Sequence, residues 1–417
     1  MDRSALGRIF VFSIVAAGAG LLGANEAAAL TSERSAIAAS APLAYPAAGL
    51  PARAASVSAA PDTLKPGARL PTARYWLFVA NESSDLVSRV RFGPEGAALE
   101  DDIEVGIMPA DLDGAHGVSV SPDGRHVYVS LAHGTPFGKL WSYRTADGVL
   151  TDSVTVGLFP ATIGITPDGS LGFVVNFNLH GNPVPSSVSA VFLPEMVEVA
   201  RIETCIKPHG SRVNHAGTLH YSVCAGDDHL VEISVERLEI SRIVKLTPGS
   251  ERVLAGPGEA AAPGGGADTP VCGPSWVVPS FDDRRVYVTC NRNGQVLELD
   301  AATLSVTRRF RTGKGPYNLA VSSDGRLLLA TNKGDQSVSV FDLASGEELA
   351  RVPTTRPITH GVVVSPDNRY AFVSNEAVGA TRGTVDVIDL DSLEIVASTE
   401  LHHQPGGIDL WRSEPLP

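Results

Sequence analysis

Short apolar and β-branched runs alternate with polar turns along most of the chain. One set of four runs covers residues 118–120, 127–129, 140–143 and 154–156, and each run has the length of a strand. Several runs, such as residues 362–364, show no polar alternation, which is typical of strands covered on both faces. The pattern therefore predicts an all-β domain in which short sheets stack face to face.

A turn motif related to Ser-Pro-Asp-Gly recurs between these runs and sets their register. Its copies begin at residues 121, 166, 214, 280, 322 and 365, so the spacing ranges from 42 to 66 residues. Periods of this size are typical of propeller blades. If the strands of a blade are labelled A to D from the centre outward, the motif joins strand A to strand B. The simplest interpretation is four strands in each repeat.

The two ends of the repeat region complement each other. Residues 75–80, 86–92 and 99–105 match strands B, C and D, but no strand A precedes them, whereas residues 407–411 match a lone strand A. Joining them gives one composite blade and leaves no long unpaired edge. With the six motifs, the predicted fold is all-β, a seven-bladed β-propeller with four-stranded antiparallel blades. It is closed by N-terminal strands B, C and D plus a C-terminal strand A.

The ends of the predicted B strands carry a recurring sequence. They read VYVS at residues 127–130, VYVT at 286–289, LATN at 329–332 and FVSN at 372–375. This region, roughly residues 75–412, resembles the YVTN family of seven-bladed β-propeller repeat proteins. The resemblance implies the same fold. It implies no particular activity, because the family is functionally diverse and fold alone does not determine function.

Composition divides the chain into four segments. Arg3 and Arg8 precede an apolar run at residues 9–22, and the small residues 27–29 supply a cleavage site, so residues 1–29 are predicted to be a signal peptide. Residues 30–73 are rich in Ala, Pro and Ser and are predicted to be a flexible linker. Residues 74–412 form the predicted propeller and 413–417 a C-terminal tail. We expect a periplasmic or secreted protein, with no stable membrane span after signal cleavage.

The net charge and the cysteine content limit which partners the protein is expected to bind and in which compartment it is expected to act. The formal net charge is −13, from 33 basic and 46 acidic side chains, so we expect no nucleic acid partner. Cys205 and Cys224, and likewise Cys272 and Cys290, flank one turn motif each. In a hairpin about that motif the two members would approach across paired strands, and cysteines of an exported protein are usually oxidised. Two disulfides are therefore predicted, although the sequence does not fix their connectivity.

Three histidines occupy one and the same repeat position. His116, His209 and His360 each lie five residues before a turn motif, at the predicted start of an inner strand A. Around a seven-fold ring they are two, three and two blades apart, which is nearly trigonal. Imidazoles bind copper, zinc, iron and nickel, and three such ligands with an open position suit a catalytic ion. The spacing predicts a transition-metal site at the channel mouth, with copper favoured.

Further polar residues map to the same face, which also carries the B to C and D to A loops. Eight of the 11 histidines fall there in the predicted register. The residues expected around the metal ligands are His133, His180, His402, His403 and Tyr317. Asp111, Asp113 and Glu376 are additional candidates for assisting the site. A long insertion at residues 247–271 lies on this face as well, either as a lid or partner-binding loop or as a tolerated insertion.

Two classes of function remain open from the sequence. The first is metal-dependent oxidative or lytic chemistry on a small molecule, performed by an oxidoreductase or lyase. The alternative is a non-enzymatic binding or scaffold propeller that recognises a protein, glycan or surface polymer. A lactonase-like hydrolase would need a carboxylate-lined channel, which the ring positions do not supply. No motif for covalent haem or nucleotide binding and no nucleophilic serine elbow occurs in the sequence.

Overall fold

A computed structural model describes residues 62–106, 112–133, 138–256 and 270–417. The predicted signal peptide, residues 30–61 of the predicted linker, Asp111 and residues 257–269 of the insertion lie outside the described residues. Within the described residues the strands form seven antiparallel sheets, and each sheet is one blade. This arrangement confirms the predicted all-β, seven-bladed propeller.

The strands are numbered in chain order. Blade 1 begins with β1 (Ala73–Asn81), β2 (Leu86–Gly93) and β3 (Gly96–Glu104). Blade 2 contains β4 (Ala115–Val120), β5 (His126–Leu131), β6 (Lys139–Arg144) and β7 (Leu150–Thr155). Blade 3 contains β8 (Pro160–Ile165), β9 (Leu171–Asn176), β10 (Pro185–Phe192) and β11 (Val197–Ile206). Blade 4 contains β12 (Pro208–Val213), β13 (Leu219–Cys224), β14 (His229–Ser234), β15 (Glu239–Lys245) and a short fifth strand, β16 (Arg252–Val253).

Blade 5 contains β17 (Pro274–Pro279), β18 (Arg285–Cys290), β19 (Gln295–Asp300) and β20 (Val306–Arg311). Blade 6 contains β21 (Pro316–Val321), β22 (Leu327–Asn332), β23 (Ser337–Asp342) and β24 (Glu348–Pro353). Blade 7 contains β25 (Thr359–Val364), β26 (Tyr370–Asn375), β27 (Thr384–Asp389) and β28 (Glu394–Glu400). The last strand, β29 (Pro405–Pro415), returns to blade 1.

Blade 1 closes the ring as the complementary chain ends predict. Its strand order is β29-β1-β2-β3, so the C-terminal strand is innermost. The pairing of β29 with β1 extends from Asn81↔Pro405 to Ala73↔Pro415. The strand therefore continues through residues 413–415, which the sequence assigned to a tail, because β1 begins early enough to pair with them.

The end of the predicted linker packs on the propeller. Asp62 and Ala97 exchange two backbone hydrogen bonds, of 2.9 and 3.1 Å, and the amide of Lys65 donates to the carbonyl of Val396 at 2.8 Å. Leu64 and Ala68 pack against the hydrophobic cluster between blades 1 and 7. Residues 62–72 are thus held against these two blades by backbone pairing and apolar contact.

The hydrophobic core lies between neighbouring blades. Between blades 7 and 1, Phe92 and Phe372 are both fully buried, and their ring centroids are 5.9 Å apart. Tyr75 and Tyr370 pack edge to face in the same cluster at 5.6 Å. This two-sided burial explains the runs without polar alternation, since each sheet contacts a neighbour on both faces.

A bulge recurs where each inner strand begins. In blade 2 the pairing of β4 with β5 shifts register between Ala115 and Val118, and the corresponding shift occurs in blades 3 to 7. The bulged amide of Gly117 donates to Oγ of Ser130 at 2.8 Å, and this hydroxyl donates to the carbonyl of Ala161 in blade 3 at 2.7 Å. Bulges redirect side chains. Here the hydroxyl also fixes the bulge to the next blade.

Both pairs of cysteines form disulfides. Cys272 and Cys290 join the start and end of the β17–β18 hairpin in blade 5. Cys205 pairs with Cys224, but Cys205 lies in β11, the outermost strand of blade 3, rather than in the hairpin of Cys224. The prediction that both cysteines of a pair lie in one hairpin is therefore confirmed for Cys272–Cys290 only. The Cys205–Cys224 disulfide instead connects blade 3 to blade 4.

Candidate functional site

The three histidines of the shared repeat position meet at one end of the central channel. His116, His209 and His360 are the second residues of β4, β12 and β25. The ring centroid of His116 lies 6.0 Å from that of His209 and 6.3 Å from that of His360. Two imidazoles that bind one ion have centroids up to about 6.4 Å apart, given metal–nitrogen distances near 2 Å. The structure thus brings together the side chains that the repeat singled out.

Tyr317 completes this ring of side chains. It is the second residue of β21, the same position as the histidines, and its ring centroid lies 5.3 Å from His209 and 4.5 Å from His360. Burial raises the pKa of Tyr317 well above its usual value, and the nearby carboxylates Glu376 and Glu82 act in the same direction. The phenol is therefore protonated at neutral pH and can donate a hydrogen bond.

The contacts of His209 define its tautomer. Its Nδ1 lies 2.9 Å from the backbone carbonyl oxygen of Ser275, which can only accept, so Nδ1 carries the hydrogen. Its Nε2 then accepts from the hydroxyl of Tyr317 at 2.9 Å. Burial lowers the pKa of His209 to about 3, with a further contribution from the charge of His116. His209 is therefore a neutral imidazole with its lone pair on Nε2.

Glu82 is a central member of the site that the sequence did not predict. It begins the 3-10 helix Glu82–Ser84, directly after β1. Its Oε2 accepts from Nδ1 of His116 at 2.9 Å and from Nε2 of Gln404 at 3.0 Å, and its Oε1 accepts from Nε2 of His133 at 3.3 Å. The carboxylate therefore orients two imidazoles at once.

Glu82 stays ionised although it is buried. Burial acts to raise its pKa, but the charge and hydrogen bond of His116, followed by those of His133, outweigh it and hold the pKa well below the usual range. A register argument could have identified this residue. Glu82 follows Asn81 at the end of strand B, just as Glu376, which the sequence did single out, follows Asn375.

His360 presents a buried nitrogen without a partner. Its Nε2 lies 3.5 Å from Oε1 of Glu376, and that oxygen also accepts from Nζ of Lys333 at 2.6 Å. Nδ1 of His360 is buried and makes no hydrogen bond. Burial lowers the pKa of His360 well below its usual value, and the positive charge of Lys333 adds to the effect. A neutral imidazole with an unused ring nitrogen is competent to bind a metal or a hydrogen-bond donor.

A small cavity lies in the channel beside these rings. Its volume is about 20 Å³, and His116, His360, Arg212, Trp276 and Asn318 contribute to its walls. Nε1 of Trp276 and Oδ1 of Asn318 are also buried without a partner. A space of this size holds about one water molecule or ion. Three unsatisfied polar atoms therefore belong to residues that surround a single small space.

His133 and His180 form a second histidine group next to the ring. Their ring centroids are 5.9 Å apart with an interplanar angle of 25°. Phe159 contacts both edge to face, at 5.1 and 5.3 Å, and also contacts His116 at 5.5 Å. This phenylalanine therefore separates the second group from the channel ring while touching both.

His402 and His403 are engaged by other parts of blades 1 and 7. Nε2 of His402 lies 2.9 Å from Oδ2 of Asp102 in β3. Nε2 of His403 donates to the backbone carbonyl of Ala380 at 3.2 Å. Both side chains thus have local partners in the loops and strands around them.

The potential ligand atoms are spread more widely than in a closed metal site. Among the described residues, three such atoms lie within 4.8 Å of one another only for Cys205, Cys224 and Asp227, and these two cysteines form a disulfide. The channel histidines therefore hold their nitrogens further apart than this distance. Simultaneous coordination needs a rotation of at least one ring. The metal assignment remains a prediction.

The described ends of the insertion at residues 247–271 are anchored by one side chain. Oδ2 of Asp228 accepts from the amide of Val271 at 2.8 Å and from Oγ1 of Thr247 at 3.2 Å, and its Oδ1 accepts from the amide of Gly273 at 2.7 Å. This carboxylate therefore draws the two ends of the insertion together. Across the described part of the chain, no helix is long and apolar enough to cross a membrane.

Comparison with known proteins supports the fold and a distant relationship. The family model described as YNCE-like beta-propeller matches residues 270–414, which include blades 5 to 7 and most of β29. Protein NirF of Pseudomonas aeruginosa is 32% identical over 103 residues, which are 23% of this chain and 26% of that protein. The match thus spans about a quarter of the length of this curated relative.

Solved structures share the architecture at low sequence identity. Hydrazine synthase of Kuenenia stuttgartiensis superposes with a TM-score of 0.54 and 20% identity, over 69% of this chain and 81% of that chain. A functionally unknown protein from Desulfotomaculum acetoxidans gives a TM-score of 0.59 and 13% identity, over 81% and 98% of the two chains. Identities this low support the fold alone. The chain is a seven-bladed β-propeller that is similar to the YNCE-like family over residues 270–414, which is consistent with repeats of the YVTN type.

Proposed function

We propose that this propeller binds a transition-metal ion, copper favoured, through His116, His209 and His360 at the mouth of its central channel. In this proposal the protein acts outside the cytoplasm, in keeping with its two disulfides, which form and persist in oxidising compartments. With the ion bound, the site serves oxidative or lytic chemistry on a small molecule that reaches the three histidines through the mouth of the channel.

One observation carries the proposal. Nδ1 of His116 donates to a carboxylate and Nδ1 of His209 donates to a backbone carbonyl. Histidines that bind metals are usually held in this way, with one nitrogen fixed by an oxygen acceptor and the other left for the ion. The buried, unpartnered Nδ1 of His360 adds a third nitrogen that lacks a hydrogen bond.

The surrounding residues fit a divalent cation. Glu82 supplies an ionised carboxylate beside His116, and the carboxyl group of Glu376, which also contacts Lys333, lies beside His360. Low pKa values keep His209 and His360 neutral, so protons compete weakly for their nitrogens at neutral pH. A bound copper or zinc ion would supply Lewis acidity, and copper also redox chemistry. The protein residues would orient the imidazoles and exclude bulk water.

A different observation favours non-enzymatic binding as the second candidate. Both ring nitrogens of His209 already have hydrogen-bond partners, Ser275 and Tyr317, and the three histidines do not converge within 4.8 Å. A rigid polar ring of this kind can recognise a protein, a glycan or a surface polymer without an ion. In this second candidate, the same loops form the recognition surface.

Metal analysis distinguishes the two candidates. We expect protein purified from its native compartment, and metal-free protein titrated with Cu(II) or Zn(II), to hold a stoichiometric ion at the channel ring. The triple variant His116→Ala, His209→Ala, His360→Ala should lose this ion and retain the far-UV circular dichroism of the propeller. Wild-type protein that takes up no copper, zinc or iron at the ring would overturn the metal proposal and favour the binding module.

The chain offers a matched control. His126 begins β5, and His215 lies in the turn between β12 and β13, at the opposite ends of their strands from the ring. The double variant His126→Ala, His215→Ala removes two imidazoles without touching the ring. It should retain the stoichiometry and affinity of the wild-type protein.

A further inference from the structure

We propose that the central channel binds one small monovalent anion, of the size of chloride, at the guanidinium of Arg212. The indole N–H of Trp276 and the side-chain amide of Asn318 complete the site. These three residues lie on β12, β17 and β21, the inner strands of the consecutive blades 4, 5 and 6. The inference goes beyond the proposed function and does not require a metal ion at the histidine ring.

Arg212 places a positive charge in the channel. It follows His209 by three residues on β12 and contributes to the wall of the small cavity beside the histidine ring. Residues of all seven blades line this cavity, so it lies on the axis of the propeller. At the corresponding position of the other six inner strands, only Asp409 in blade 1 carries an ionisable side chain. This level of the channel therefore contains one arginine and one carboxyl group.

Arg212 has no counter-charge at close range. Among the described residues, its guanidinium makes one hydrogen bond, from Nη1 to the backbone carbonyl of Ser211 at 2.9 Å, and no carboxylate oxygen lies within 4.0 Å. Asp409 attracts it from a greater distance, and the two oxygens of Asp409 already accept the backbone amides of Val120 and Leu410. An anion beside the guanidinium would offset the cost of removing this charge from bulk water.

The neighbours of Arg212 offer further donors. Its guanidinium carbon lies 4.9 Å from the ring centroid of Trp276. Within the described part of the chain, Nε1 of this buried indole has no hydrogen-bond partner, and neither has Oδ1 of the buried Asn318. A half-turn of the Asn318 amide presents Nδ2, which is a donor, in place of Oδ1. Donors from three consecutive blades therefore belong to residues that line the same cavity.

The size and charge of the cavity select the ligand. Its volume of about 20 Å³ holds one small ion or one water molecule, which excludes larger anions such as organic carboxylates. The charge of Arg212 repels a cation at this position. No acidic side chain of the described residues contributes to the wall, so an anion would face donors rather than a like charge. A halide fits these conditions, and water is the competing occupant.

Bromide tests the position of the site, because it can replace chloride and scatters X-rays anomalously. We expect crystals of the metal-free protein grown in sodium bromide to show an anomalous peak in the cavity, beside Arg212 and Trp276. Peaks at the protein surface alone would indicate an adventitious ion only. That result, or water alone in the cavity, would overturn the proposal.

Broadening of the chloride NMR signal measures affinity in solution. The Arg212→Gln variant removes the charge, and we expect its chloride affinity to fall by about 10- to 100-fold, as for the loss of a charge-assisted hydrogen bond. The matched control Arg284→Gln removes an arginine in the β17–β18 turn whose side chain is 81% accessible, and it should retain the wild-type affinity. Equal affinities in the two variants would contradict the site.

The Trp276→Phe variant tests the site without removing Arg212. It retains an aromatic ring beside the guanidinium but lacks the indole N–H, so chloride affinity should fall by about two- to tenfold. If the Arg212→Gln variant does not fold, an unchanged affinity in Trp276→Phe overturns the proposal. Bromide in the cavity of a wild-type protein that takes up no copper, zinc or iron would refute the proposed function and leave the anion site standing. Metal uptake without bromide in the cavity would do the reverse.

Discussion

The hydroxyl of Tyr317 lies 2.9 Å from Nε2 of His209, so this tyrosine occupies the nitrogen that an ion at the ring would use. We expect the Tyr317→Phe variant to bind Cu(II) more tightly than wild type. The loss of one competing hydrogen bond, worth about 0.5–1.5 kcal/mol, corresponds to roughly a two- to tenfold gain in affinity. Isothermal titration calorimetry measures the change. Weaker binding by this variant would show instead that the hydroxyl supports the ion.

The carboxylate of Glu82 gives a second prediction. The Glu82→Gln variant keeps the size of the side chain but loses the charge that faces His116 and His133. We expect metal affinity to fall by about 10- to 100-fold, as for other partners that orient metal ligands. The Glu347→Gln variant changes an exposed carboxylate in the β23–β24 turn and serves as control. Equal affinities for the two variants would contradict a role for Glu82.

The hydroxyl bridge between blades 6 and 7 gives a stability prediction. Oγ1 of the fully buried Thr331 accepts from the amide of Asn318 at 2.9 Å and donates to the carbonyl of His360 at 2.7 Å. The Thr331→Val variant leaves both backbone groups without this partner, so we expect a loss of about 1–3 kcal/mol in the free energy of unfolding. Chemical denaturation measures it. The Thr331→Ser variant should recover most of the loss, and failure to do so would point to packing as the cause.

The buried His220 gives a pH prediction. Burial lowers its pKa to about 3 from an ordinary 6.5, with a further contribution from Arg212, and neither ring nitrogen has a partner. Between these two pH values the unfolded chain binds more protons at this residue than the native state does. Its contribution to stability is therefore present above pH 6.5 and is lost as the pH falls towards 3.

The His220→Phe variant removes this titration and retains an aromatic ring against Phe173, whose centroid lies 4.7 Å from that of His220. We expect its free energy of unfolding to fall less steeply between pH 6.5 and pH 4, by up to about 1.4 kcal/mol per pH unit. Urea denaturation at several pH values provides the measurement. An unchanged slope would show that His220 does not titrate differently in the folded state.

Sequence patterns predicted the blades because local chemistry fixes their turns. In the first motif, Oδ1 of Asp123 accepts from Oγ of Ser121 at 2.6 Å and from the amide of Arg125 at 3.0 Å, all within five consecutive residues. Such contacts depend on neighbouring residues alone, so they recur in the motif copies at residues 166, 280, 322 and 365. The copy at residue 214 has Ala216 in place of the aspartate, and Asp283 of the next blade accepts from its backbone instead. The same register placed three histidines and Tyr317 at equivalent positions, and the structure brings all four together.

The contact of Glu82 with His116 was harder to predict than the position of either residue, because it depends on how separate blades meet. Glu82 reaches His116 from the neighbouring blade, and nothing in the local sequence of either residue indicates their contact. The position of Cys205 in the outer strand of blade 3 was missed for a related reason, since a bridge between blades leaves no hairpin signature. Distances across the channel follow from the ring radius, which repeat spacing does not specify.

The pairing of β29 with β1 sets an order of assembly. A chain is synthesised from its N-terminus, so β1 and Glu82 exist long before the strand that completes their blade. Gln404, which donates to Glu82, immediately precedes that strand. The carboxylate and the inner strand behind it therefore reach their final positions only after residues 405–415 have been made. The channel mouth therefore cannot be complete until the chain of the other six blades has been synthesised.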